Sequence, residues 1–476
     1  MSVVHPYAYS RSRRILWAVA VLLLWPGAQA PAAERPLPDL KAGRSAYDQH
    51  CARCHGDAAK GDGVDAKRFY PRPRDLTMGI YKFRTTASGT PPSDEDLFRT
   101  VTAGLPGTNM PDWQHLDEAA RWQLVYYLKS LSPVFEQTTP APIEAPPDPG
   151  PKRTDRARGK AVYEEMGCAA CHGPQGRANG PSAPGLVDDW GMPLRPTNLT
   201  QGWAYRGGSD PQSIMMRLLA GIDGAGMPSY VGAVSPEDAW QLAYYVASLQ
   251  EPPHWNMIAR ARYAPGPLPE TLDDTRWADA EQTTLRLRNV VTPEGEWANP
   301  PTIRAVTLQV LHNDEAAAFR LSWDDPTEDH VTVSALEPAI HDTPPDRLAL
   351  VLKPPDAQGD VITLQAWPYT GAPALNICHW AAGAKAVERL ATDLEQVITA
   401  TGVALKSFSV YEDGRWTLLL QRPLQPAEPV GAAAMTLDQF TSVAVAVWDG
   451  GNGTARAVSP WVDIVLRKQS RQHQQH

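Results

Sequence analysis

The sequence predicts a multidomain chain in which two all-α domains are followed by a mainly-β sandwich domain. Three observations predict it. The phrase Cys51-Ala52-Arg53-Cys54-His55 returns as Cys168-Ala169-Ala170-Cys171-His172, and each copy leads to a matching C-terminal segment. A proline-rich tract separates the copies. Beyond Leu268 the apolar period changes from helical spacing to alternation, which is the signature of strands. The chain has 476 residues, room for about three domains at roughly 150 residues each.

The first 33 residues read as an export signal. Arg11, Arg13 and Arg14 precede the apolar run Ile15 to Trp25, and the small residues Ala28, Ala30 and Ala32 follow. Eleven apolar residues fall short of the roughly 20 that span a bilayer, so cleavage after Ala32 is expected, with an uncleaved anchor as the alternative. The expected location is the periplasm, with membrane contact only through an uncleaved N-terminus. A net charge of −9 without a basic run argues against nucleic acid and suits a neutral or cationic protein partner.

Four of the five cysteines lie in the two CxxCH phrases, and Cys378 stands alone. A CxxC pair can be a redox disulfide or half a zinc site. The adjoining histidine, the repeat and the export signal point instead to covalent c-type haem. The repeat extends well beyond the phrase. Met110 lies 55 positions after His55, and Met227 lies 55 positions after His172, each followed by proline. Asp75-Leu76-Thr77 echoes Asn198-Leu199-Thr200, and Trp122 to Leu131 parallels Trp240 to Leu249. Helices are predicted over Lys41 to His50, Arg158 to Met166, Asp117 to Leu131 and Pro236 to Leu249, with Asp117 and Ser235 as caps.

On these residues both units resemble class I cytochrome c domains, assigned to 34–133 and 153–252 with a Pro-rich linker at 134–152. The reading is two haem c groups: Cys51, Cys54, Cys168 and Cys171 bind the rings, and His55 with Met110 and His172 with Met227 bind the irons. A soft thioether favours ferrous iron and raises the potential. Met78, Met192, Met215 and Met216 are competing methionines, none at a matching place in both halves. Filled axial positions leave no substrate site on iron, so no catalytic residue is assigned. The linker reads as an extended spacer, or as a segment that wraps along a partner.

In the third region, strands are predicted at Thr284 to Val291, Ile303 to His312, Ala317 to Trp323, Leu348 to Lys353 and Val361 to Trp367. Four more are expected at Ala404 to Tyr411, Trp416 to Arg422, Ser442 to Trp448 and Val462 to Leu466, with a helix at Ala384 to Ile398. Asp346-Arg347-Leu348-Ala349-Leu350, Asn376-Ile377-Cys378-His379-Trp380, Asp413 to Thr417, Gln421 to Leu424 and Ala446 to Gly450 resemble the ethylbenzene dehydrogenase-related haem-binding domain, here 268–468.

That resemblance implies a γ-like subunit of exported molybdenum enzymes, exchanging electrons with molybdenum/iron–sulfur subunits and holding a haem b through methionine and lysine. This chain departs from the ligand pattern. Leu364 to Tyr369 contains no methionine, and Arg456-Ala457 stands where the lysine is expected; Arg stays protonated and is a poor iron ligand. Met435, Lys406 and His379 are the substitutes available, and a docking module without haem is the reading these departures favour.

The sequence-based conclusion is a dihaem electron carrier between a molybdenum oxidoreductase of nitrate reductase/nitrite oxidoreductase type and the respiratory chain. A small soluble or membrane-bound redox carrier completes the relay. The chain would be a non-catalytic subunit. The alternatives are a dihaem peroxidase or oxidase with an open haem, and a ligand-binding sandwich with tryptophans (Trp297, Trp323, Trp367, Trp380, Trp416, Trp448, Trp461) lining a sugar site.

Overall fold

The computed structural model describes residues 35–289, 302–330, 344–353, 375–391, 397–400, 403–426, 433–452 and 456–467. The expected export segment and the strand expected at Val361 to Trp367 lie outside the described residues. Residues up to Leu37 form one unit and those from Pro38 another.

Each cytochrome-like unit is built on a pair of crossing helices. In the first, α1 (Leu40–His50) leads through α2 (Ala52–His55), α3 (Asp94–Ala103) follows, and α4 (Glu118–Ser130) closes the unit. After the short α5 (Val134–Gln137), the second repeats this with α6 (Arg156–Glu165), α7 (Ala169–His172), α8 (Pro211–Ala220) and α9 (Pro236–Ser248). Asp117 accepts from Ala120 N and Ser235 from Asp238 N, so both act as N-caps. The helix pairs cross at glycine. A Cβ on Gly43 would lie 2.3 Å from Gln123 O, and one on Gly159 would lie 2.3 Å from Gln241 O.

The same two glutamines fasten the helix entries. Gln123 Oε1 accepts from Asp39 N at 2.6 Å, and Gln241 Oε1 accepts from Asp155 N at 2.5 Å. The proline-rich tract does not hang free. Ile143 N donates to Thr85 O at 2.9 Å, Trp240 Nε1 donates to Pro146 O at 3.1 Å and Tyr244 donates to Asp148. The linker thus runs along both helical units of its own chain.

The C-terminal half is strand-rich. Its elements are β1 (Ile258–Arg260), β2 (Arg262–Tyr263), β3 (Thr283–Arg286), β4 (Arg288–Asn289), β5 (Ala305–His312), β6 (Ala316–Asp324), β7 (Arg347–Leu352) and β8 (Leu375–Ala381). Then come β9 (Val387–Ala391), β10 (Val397–Ala400), β11 (Lys406–Glu412), β12 (Arg415–Pro423), β13 (Phe440–Trp448), β14 (Arg456–Val458) and β15 (Val462–Val465). One sheet runs β1-β15-β13-β7-β8-β9-β10, with β14 on β13 and β4 on β14; the other runs β11-β12-β6-β5-β2, with β3 on β5. Side chains of both sheets meet in one core that includes Leu308, Phe319, Leu350, Leu418 and Val445.

Two expectations need correction. Ala384 to Ile398 is not a helix: its described part forms β9 and β10. Its Ala, Glu and Leu content favours helix, but pairing decides, since Cys378 is opposite Glu388 and the Glu388 carboxylate is buried against Arg422. The Thr284 to Val291 strand is broken at Leu287 into β3 and β4. The tryptophans fill the core rather than line an open groove. Trp323, Trp380 and Trp416 are at most 2% exposed and pack at ring-centroid distances of 5.1–6.4 Å. Trp448 is also buried, while Trp297 and Trp367 lie outside the described residues.

Candidate haem sites

The residues around each CxxCH phrase are arranged alike. The buried Tyr47 hydroxyl donates to Gly56 O at 2.7 Å, and the buried Tyr163 hydroxyl donates to Gly173 O at 2.7 Å. Those glycines follow His55 and His172 and have φ of 84° and 80°, a turn that a side chain resists. Sequence reading passed over the tyrosines and the helix-crossing glycines. The signal was present: Gly and Tyr stand four apart before each phrase, at Gly43/Tyr47 and Gly159/Tyr163.

Both histidines are oriented by a backbone carbonyl. His55 Nδ1 lies 3.1 Å from Arg74 O, and His172 Nδ1 lies 2.8 Å from Thr197 O. The bond requires the proton on Nδ1 and leaves Nε2 with a free lone pair, the form that binds metal. Burial holds both imidazoles below the usual pKa range, favouring the neutral ring.

The two methionines sit on loops of one design. Leu105 N donates to Met110 O at 3.1 Å, and Ile222 N donates to Met227 O at 3.0 Å. Each loop follows a helix ending in glycine, Gly104 or Gly221, with φ of 65° and 68°.

In the second unit Cys168, Cys171, His172 and Met227 all line one cavity of about 530 Å³. Its apolar wall includes Leu199, Tyr205, Ile214, Leu218, Leu242 and Val246. Size, apolar lining and donor set fit a porphyrin bound through two sulfurs with histidine and methionine toward the iron. Met192 also lines the cavity. Met215 is fully buried in the core, and Met78 is 44% exposed and accepts from Trp190 Nε1 at 2.8 Å.

In the first unit Cys51 packs against the core of Tyr47, Leu76, Val101 and Leu124. Burial pushes the Cys51 thiol up to about 12 and raises Cys54 and Cys168 as well. A redox or zinc CxxC needs a readily formed thiolate, which these surroundings disfavour.

The substitutes for a haem b ligand do not converge. Met435 is fully buried between the sheets. Lys406 is 70% exposed and paired with Glu270, and His379 lies on β8 with its pKa lowered by burial to about 4. Leu364 to Tyr369 lies outside the described residues. Cys378 is buried, with Sγ 3.6 Å from Glu388 Oε2.

Three buried carboxylates, Asp325, Asp346 and Asp449, present oxygens within 4.8 Å of one another. The β domain meets the second helical unit at Asp324, which accepts from Asn198 Nδ2 at 2.8 Å and Thr200 Oγ1 at 3.2 Å, and pairs with Arg177 and Arg415.

Comparison with known proteins follows these divisions. Residues 38–128 match the family model of cytochrome c oxidase, cbb3-type, subunit III; residues 156–250 match that of cytochrome c; residues 355–457 match that of ethylbenzene dehydrogenase. The cbb3-type cytochrome c oxidase subunit CcoP of Azospirillum brasilense is 29% identical over 44% of this chain. A putative respiratory nitrate reductase heme subunit of Haloferax mediterranei is 25% identical over 34% of this chain. The chain spans 62% and 56% of the length of these two relatives.

Among solved structures, a chain of the Kuenenia stuttgartiensis reducing HAO-like protein complex is 39% identical over 46% of this chain and all of that one, with a TM-score of 0.44. No helix among the described residues is long and apolar enough to cross a membrane. Cytochrome c domains imply haem c. The chain joins two cytochrome c-type domains to an ethylbenzene dehydrogenase-related domain.

Proposed function

We propose that the chain is a periplasmic dihaem cytochrome that carries electrons between a molybdenum oxidoreductase of nitrate reductase/nitrite oxidoreductase type and the respiratory chain. One observation carries this reading. The same site is built twice, with CxxCH, a histidine fixed by a backbone carbonyl and a methionine loop in both halves. Cys51 and Cys54 bind one haem c and Cys168 and Cys171 the other. His55 with Met110 and His172 with Met227 are the axial ligands. Haem c supplies the reversible one-electron couple. The protein binds it, keeps water from it, and holds each imidazole in the ligating tautomer.

Filled axial positions leave no coordination site for a substrate, so the dehydrogenase or reductase chemistry belongs to a partner. The β domain docks the carrier. Its likeness to the ethylbenzene dehydrogenase family and the heme-subunit relative support a molybdoenzyme partner. The scattered Met435, Lys406 and His379 support a docking role without haem b. The CcoP relatives support an oxidase or its donor as the respiratory-chain end of the relay.

The test is anaerobic stopped-flow mixing of the ferrous protein with a nitrate reductase-type molybdoenzyme and its oxidised substrate. Reoxidation of both haems that depends on that substrate is expected. Inertness toward the enzyme together with rapid peroxide turnover overturns the reading in favour of an open-haem enzyme.

A further inference from the structure

The cavity of the second cytochrome domain is cationic, although the chain as a whole is acidic. Nine Lys and Arg side chains and three carboxylates line it. Several of the cations are accounted for. Asp188 takes Arg74 at 3.1 Å and Lys82 at 3.7 Å, Asp324 takes Arg177, and Arg217 donates to the carbonyls of Lys82 and Arg84.

Arg206 and Arg304 are different. Both lie deep in the fold, yet each keeps accessible surface, and that surface faces the cavity. Among the described residues no carboxylate pairs with either. Burial, joined by the nearby charge of Arg304 for Arg206 and of Arg286 for Arg304, disfavours the cationic form and takes Arg206 to about 10. Two enclosed guanidiniums with no counter-charge are costly unless an anion completes the site.

The three domains meet here. Arg206 belongs to the second cytochrome domain. Arg304 comes from the β domain, one residue before β5. Its Nη1 lies against the first domain's methionine loop, where a Cβ on Gly107 would come within 2.8 Å. An apolar part of the wall, with Leu199, Ile214, Leu218, Leu242 and Val246, lies in the same cavity as the CxxCH cysteines, and a flat apolar body with anionic groups on one edge fits this mixture.

We propose that Arg206 and Arg304 bind the two carboxylates of the haem attached at Cys168 and Cys171, so that the β domain sets part of that haem's electrostatics. The inference rests on the dihaem reading above. Bidentate guanidinium–carboxylate bonding provides both orientation and charge. Docking of the β domain and the potential of the second haem are thereby coupled: a partner that shifts the β domain also shifts Arg304. A cation at the haem edge favours the ferrous state, whose iron carries one positive charge fewer.

The experiment uses the full-length holoprotein. Wild type, Arg304→Gln, Arg206→Gln and Arg304→Lys are purified with covalent haem counted, then titrated spectroelectrochemically. The second haem's couple is identified as the one that moves in Met227→His. With two haems per chain, each Gln variant is expected to lower the ferrous-to-ferric ratio of that couple at fixed potential by about tenfold, equivalent to about 59 mV. Arg304→Lys should shift it less, and the first haem should stay within twofold. Two covalent haems with both couples unmoved in the Gln variants, or movement confined to the first haem, overturns the inference and leaves the dihaem reading intact. Fewer than two haems in wild type overturns that reading itself.

Discussion

Asp324, at the end of β6, accepts a hydrogen bond from Asn198 Nδ2 at 2.8 Å. This bond explains a difference between the repeats. In the first domain Asp75 accepts from Thr77 N and Oγ1; in the second, Asn198 Oδ1 does the same for Thr200. An amide keeps the turn and adds a donor, which a carboxylate lacks, so the second copy can dock to the β domain. Asn198→Asp should keep the turn but set two carboxylates against each other, costing about 1–3 kcal/mol as the donor is lost. Differential scanning calorimetry should show the β-domain transition separating from that of the second cytochrome domain; an unchanged single transition would refute the docking role.

The methionine loops predict distinct spectroscopic outcomes. Met110→Ala and Met227→Ala should each convert one haem to a high-spin or water-ligated form, while the other keeps its low-spin spectrum. Met110→His and Met227→His should remain low-spin with a lowered potential, because the thioether's preference for ferrous iron is gone. A Met192→Ala protein is expected to keep both low-spin spectra. Magnetic circular dichroism in the near infrared reads all of these.

The buried pair Glu388–Arg422, at 2.7 Å with side chains 0% and 1% exposed, fixes β9 against β12 and receives Cys378. Glu388→Gln leaves a buried guanidinium without its charge partner and is expected to cost about 3–5 kcal/mol. Urea unfolding followed by tryptophan fluorescence checks it. A loss below about 1 kcal/mol would mean that this arginine has other compensation.

The carboxylate cluster predicts a pH dependence of unusual sign. Burial, with repulsion from Asp449 and Asp346, holds Asp325 above the usual range; burial, with repulsion from Asp329, does the same for Asp449 and raises Asp346 to about 6. The fold therefore binds these protons more tightly than the unfolded chain does. The stabilisation is complete below the ordinary carboxylate value and is lost as pH rises through about 6 for Asp346. Asp325→Asn, which replaces a buried carboxylate held above its usual range by a neutral amide, should make the β domain more stable relative to wild type at pH 8 than at low pH. The difference should shrink near pH 4. Thermal melts at the two pH values measure it, and a larger gain at low pH would contradict the assignment.

Much of the architecture was legible because local chemistry enforces it. Covalent haem attachment ties Cys, Cys and His to a fixed spacing, and the helix repeats show through the Trp-Gln-Leu segments. Strands of one sheet were legible through alternation at Ile303 to His312 and Trp416 to Arg422, which form β5 and β12. What was not legible depends on distant partners. Glu388 becomes a strand residue whose carboxylate meets Arg422 from the facing sheet, and Arg304 enters the cavity of the second cytochrome domain from nearly a hundred residues downstream of Arg206. Asn198 echoes Asp75 in the sequence, and only the contact with Asp324 gives the change from carboxylate to amide its meaning. Such contacts leave no periodic trace.

The most direct test of the central claim is the haem content of the exported, purified chain, by pyridine haemochrome spectrum before and after acid–acetone extraction. The account predicts two haems per chain, both of c type and both retained by the protein, with none extracted. Fewer than two covalent haems would contradict it, and one extractable b haem beyond the two would show that the β domain is a third redox centre rather than a docking module.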